Sequence, residues 1–170
     1  MTSLVALSIS IGVLGGVATW LALGPLDGIF FIWVAFIGWA TYFATGGNNA
    51  ALKTTIVCGI WGVICAWVAG LILVNVEIAA LGTVWPAIVV GVTVLVLCLG
   101  AHVEALSNIP ASVYGYAATA AYMLVGGTMN MGALTAANMT NPLIVISVSI
   151  IVGAVFGLLS GKLAGVLGKS

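Results

Sequence analysis

Seven side chains of the 170-residue sequence are acidic, basic or histidine, the types that carry charge around neutral pH: Asp27, Lys53, Glu77, His102, Glu104, Lys162 and Lys169. Nucleophilic catalysis needs a serine or cysteine beside a base that a third group orients. The single histidine has only Glu104 close to it in sequence, and two residues apart on a helix they point to different faces. No G-x-S-x-G, H-E-x-x-H or phosphate-loop pattern occurs. An enzyme is therefore not expected. Metal chemistry fares no better. Cys58 and Cys65 share a helix, about 10 Å apart by helical rise, and cannot bridge each other. Met129, Met131 and Met139 are thioethers of the kind that hold Cu(I), but no histidine or cysteine accompanies them. No cofactor or metal is expected. His102 is the one group that titrates near neutral pH. With Asp27 and Glu104 it lies near a helix end, either as a mouth or gating residue or as an ordinary solvated end residue.

The elements that must carry these groups follow from composition. The chain is 64% hydrophobic and 4% charged, with mean hydropathy +1.37, where a soluble domain carries roughly 25% charged residues. This excludes a soluble globular domain and a disordered chain. With no arginine and zero net charge it also excludes a nucleic-acid partner. The solvent is lipid. A spanning helix needs about 20 apolar residues, and six stretches approach that: 4–23, 29–45, 54–74, 78–100, 109–125 and 142–166. Gly24-Pro25-Leu26-Asp27-Gly28, Gly46-Gly47-Asn48-Asn49, Asn75-Val76-Glu77 and Ser107-Asn108 punctuate them. Runs such as Val94-Leu95-Val96-Leu97 lack the alternation of a membrane barrel, so the expected fold is all-α. Met1-Thr2-Ser3 carries no lysine or arginine, so the first span is read as retained rather than as a cleaved signal. With six spans Lys53, Lys162 and Lys169 share one side, which places both termini in the cytoplasm.

Self-similarity adds a further expectation. Asp27 precedes Gly38, and Glu104 precedes Gly115, by the same eleven residues, and Gly38-Trp39-Ala40 aligns with Gly115-Tyr116-Ala117. Double glycines follow at Gly46-Gly47 and Gly126-Gly127, and small residues recur every fourth position at Gly62/Ala66/Gly70 and Gly153/Gly157/Gly161. The reading is one transmembrane domain of six helices as two inverted three-helix repeats, approximately 1–75 and 76–170, an arrangement of transporters and channels. Chance similarity in apolar sequence is the alternative. The small-residue spacings, with Ser8/Gly12/Gly16, read as stripes for close helix contact, within one chain or between chains.

The middles of the spans offer hydroxyls and aromatics rather than charges. Trp39, Thr41, Tyr42, Phe43, Tyr116, Thr119 and Tyr122 are the candidate pathway-lining residues, and the alternative is that they fill helix contacts. Asn48 and Asn141 mark helix breaks. Such an interior suits a channel or facilitator for a small uncharged polar solute such as urea or a short amide, and suits an ion badly. A non-conducting accessory protein assembling through its glycine stripes, and an ion-coupled transporter, are the other readings. A six-helix bundle is thin around a conduit, so a homo-oligomer in the bilayer is expected.

The segment from Gly38 to Phe43-Ala44, the stretch Pro110–Gly115 and the pair Gly153–Gly157 resemble a bacterial inner-membrane family known as domain of unknown function 1097. That resemblance covers nearly the whole chain. It implies a multi-pass protein of this size and span count in the inner membrane, and no assigned chemistry. Thr140-Asn141-Pro142-Leu143 also resembles the asparagine-proline-leucine step of urea transporters. The equivalent place in the first half is Ala50-Ala51, so the second copy of that pattern is lacking. Asn141 as a helix cap with Pro142 in the first turn explains the tripeptide equally.

Overall fold

A computed structural model describes residues 1–168; Lys169, one of the three lysines that orient the chain, lies outside the described residues. Seven α-helices occur among the described residues: α1 (Ser3–Leu23), α2 (Ile32–Ala44), α3 (Asn49–Asn75), α4 (Val84–Leu99), α5 (Ile109–Val125), α6 (Met131–Leu134) and α7 (Pro142–Leu167). Short 3-10 turns lie at Ala79–Leu81, Gly100–His102 and Glu104–Leu106.

Polar side chains open the helices by taking up N–H groups that have no partner in the first turn. The Thr2 hydroxyl accepts from the Val5 amide at 3.3 Å, and Asn48 accepts from Ala51 at 2.9 Å. Asn108 accepts from Ala111 at 3.0 Å, and Asn141 from Leu143 at 2.9 Å. Glycine closes α2: Gly47, at φ +63°, donates its N–H to the Tyr42 carbonyl at 2.9 Å.

Among the described residues four helical stretches are long and apolar enough to cross a membrane: α1, α3, α4 with the turn that continues it to His102, and α7. This corrects the expectation of six spans as two inverted three-helix repeats. The apolar run 29–45 yields a helix of only 13 residues, because Phe31 is extended and its N–H donates to the Ser149 hydroxyl instead of continuing a helix. Thirteen residues rise about 20 Å, short of a roughly 30 Å hydrocarbon core. The run 78–100 breaks at Gly82, which sits at φ +49°, so α4 begins only at Val84. α5 has 17 residues and carries Ser112, Thr119 and three tyrosines. Two of the long stretches fall in 1–75 and two in 76–170, so the odd number per half on which inversion rested is gone.

The described chain forms two compact units, one of residues 1–56 with 148–168, the other of residues 57–147. In the first, α2 lies on α7 by direct backbone approach. A Cβ at Gly38 would come 2.6 Å from the Ile150 carbonyl oxygen, and one at Gly153 would overlap the Ala35 carbonyl. Phe30, Ala22 and Ala35 form an apolar cluster there, against Val148 and Val152. In the second, α5 lies on α3 in the same manner, with Gly115 on the Gly59 carbonyl and Gly62 on that of Ser112. Its core gathers Cys65, Ala66, Leu97, Tyr116, Met123 and Leu134.

Candidate functional site

The candidate residues divide between the two units. In the first, the indole N–H of Trp39 donates to the Ser160 hydroxyl at 2.9 Å, that hydroxyl donates to the Gly157 carbonyl at 2.8 Å, and the Ser10 hydroxyl donates to the Ser160 carbonyl at 2.7 Å. Ser10 and Ser160 are fully buried. Three helices, α1, α2 and α7, thus meet in one chain of polar contacts set in an apolar interior. Tyr42 is buried with its ring over Gly157, where a Cβ would approach the ring to 2.7 Å. Phe43 meets Tyr42 edge to face at 5.2 Å between centroids. The Thr41 hydroxyl turns back to the Ile37 carbonyl at 2.7 Å, a bond within its own helix.

In the second unit, Tyr116 and Thr93 share a hydroxyl–hydroxyl bond of 2.9 Å that joins α5 to α4. The buried Thr119 donates to the Gly115 carbonyl at 2.9 Å. Tyr122 is half-buried near the end of α5, and its carbonyl accepts from the Thr128 hydroxyl at 3.2 Å. Asn141 is buried, and its amide donates to the Leu134 and Ala136 carbonyls at 3.0 and 2.9 Å, which ties α6 to the start of α7. Asn48 is exposed and caps α3. Asp27, His102 and Glu104 are all exposed, the last two on successive 3-10 turns after α4.

The described acidic, lysine and histidine side chains keep to the surface. Asp27, Lys53, Glu77, His102, Glu104 and Lys162 are exposed, while the buried polar side chains are hydroxyls, the Asn141 amide and the Trp39 indole. Among the described residues no buried side-chain nitrogen or oxygen lacks a hydrogen-bond partner, and no three His, Cys, Asp or Glu side chains gather into a metal-holding group. Cys58 and Cys65 are buried thiols and Cys98 is half-buried.

Two features escaped the sequence reading. Ser160 joins three helices, and its only local signal is its place beside Gly161 in the α7 glycine series. The second is an apolar cleft of about 830 Å³ in the unit of residues 57–147, between α3, the connector after it, α4 and α5. A connector wall has no local signature.

An all-α chain with several helices fit to cross a bilayer, charges outside and neutral polar groups within, is a multi-pass membrane protein. The chain belongs to the family described as "Protein of unknown function (DUF1097)", which matches residues 8–165. No curated protein and no solved structure matches it.

Proposed function

We propose that the chain is a channel or facilitator for a small uncharged polar solute, such as urea or a short amide. The observation that carries this reading is that no Asp, Glu, Lys or His side chain is buried among the described residues. An ion moved into such an interior loses its hydration with nothing to replace it, whereas a neutral solute needs only a few hydrogen bonds beside aromatic walls. Trp39, Thr41, Tyr42, Phe43, Tyr116, Thr119 and Tyr122 supply those groups. Asp27, His102 and Glu104, which lie at or beyond the ends of the first and third of four spans and so share a side, are the mouth or gating residues there, and Asn48 and Asn141 hold the helix breaks. The protein works in a bacterial inner membrane, as an assembly of identical chains. It uses no cofactor and is not an enzyme.

With four spans both termini again share a side. Lys53, near the start of α3, then falls on the opposite face, and Lys162 and Lys169 are the lysines that support cytoplasmic termini.

A second reading has its own observation. The buried hydroxyls already have partners inside the chain, as Ser160 and Thr93 show, which suits a sealed, non-conducting accessory protein. Stopped-flow light scattering on proteoliposomes separates the two. Uptake of urea or acetamide faster than in empty vesicles, unchanged by sodium or a pH gradient, is the expected result. No acceleration for any neutral solute leaves the accessory reading, and sodium- or proton-dependent uptake establishes an ion-coupled transporter instead.

A further inference from the structure

The cleft in the unit of residues 57–147 is lined mainly by residues outside the proposed pathway set, with Tyr116 common to both. Its volume of about 830 Å³ lies in the range, roughly 300–1,000 Å³, of sites that enclose small molecules. Ala69 and Gly70 of α3 and Met123 and Leu124 of α5 give it apolar walls, and Trp85 of α4 and Glu77 of the connector complete it. Gly70 matters because a Cβ there would press on the Met123 sulfur at 2.7 Å.

Glu77 is the one ionisable residue of that lining, and it is exposed, so its carboxylate keeps contact with the watery side while the wall behind it is greasy. It follows Asn75, the last residue of α3, whose helix end adds partial negative charge. The Trp85 indole N–H donates to the Val76 carbonyl at 2.7 Å, which holds the ring beside the Glu77 backbone. A carboxylate with a fixed indole attracts an ammonium group, and the same charge repels a phosphate or carboxylate. Leu124 and Val90, also lining residues, are largely exposed apolar side chains on helices of a chain built for lipid, so acyl chains reach the cleft from the bilayer.

We propose that this cleft binds a membrane lipid with an ammonium headgroup, one acyl chain lying on the α3 and α5 walls and the ammonium at Glu77 and Trp85.

The test uses the full chain, delipidated in mild detergent, mixed with equal amounts of ethanolamine-headgroup and glycerol-headgroup lipid of identical chains, with bound lipid counted by native mass spectrometry. The wild type should retain the ethanolamine lipid in preference by about three- to fivefold, the scale of an exposed ion pair. Glu77→Gln, at an exposed position, should level the two, and Ala79→Trp, which fills the cleft from the connector, should lower both. Both variants are to be checked for an unchanged unfolding temperature. Equal retention by the wild type, or a preference that survives Glu77→Gln, overturns the proposal. Binding of free dodecylammonium without retention of the ethanolamine lipid also overturns it, in favour of a soluble amphiphilic amine.

Discussion

Ser160 does three things with two groups: its hydroxyl accepts from Trp39 and donates to Gly157, and its carbonyl accepts from Ser10. Removing the hydroxyl leaves a buried indole N–H unpaired where no water reaches it. Ser160→Ala is therefore expected to lower stability by about 1–2 kcal/mol, read as a fall in midpoint temperature in mild detergent. In Trp39→Phe the donor is gone as well, so the double variant should lose less than the two single losses added, a coupling that a double-mutant cycle measures. The sequence marked Trp39, Tyr42, Tyr116 and Thr119 as candidate pathway-lining residues, because neutral polar and aromatic groups stand out in an apolar chain. It could not name their partners. Trp39 and Ser160 are 121 residues apart, and nothing local to either records the other.

At the level of elements, the crossings decide. Gly38 and Gly153 bring α2 onto α7, and Gly62 and Gly115 bring α5 onto α3, each at a distance that a methyl group would not permit. In lipid, where apolar burial gives helices no preference for each other over acyl chains, such backbone approach is a main source of association. Gly153→Leu should abolish the folded form, seen as aggregation on size exclusion. Gly12→Leu should leave elution and unfolding temperature unchanged, since nothing lies within 4 Å of a Cβ at Gly12. The small-residue spacing in α3 and α7 was readable; that no other helix of the same chain closes on Gly12 and Gly16 of α1 was not. Helix length was misread for a related reason. Ile29-Phe30-Phe31 continues the apolar run of α2, and hydropathy does not register that Phe31 is extended, with its N–H on Ser149.

Over the whole molecule, the count of spanning helices sets the topology. The proposed topology has four spans with both termini on one side, the cytoplasmic one by the lysines at the C-terminal end. A C-terminal green fluorescent protein fusion should fluoresce in whole cells, and a C-terminal alkaline phosphatase fusion should be inactive; the reverse pattern would invert the topology. With six spans Lys53 agreed with the other lysines, and with four it opposes them. Orientation thus rests on fewer charges than the sequence implied.

The amino-acid sequence by itself determined the solvent, the helical class, the family and the neutrality of the interior. These depend on composition and short-range pattern, which each stretch of chain carries alone. The tertiary structure alone decided which apolar stretches become long helices, which glycines meet a neighbour, and where connector and helices enclose a cleft beside Glu77. Each of those outcomes is a contact between residues far apart in the chain, and its energy exists only once both sides have come together.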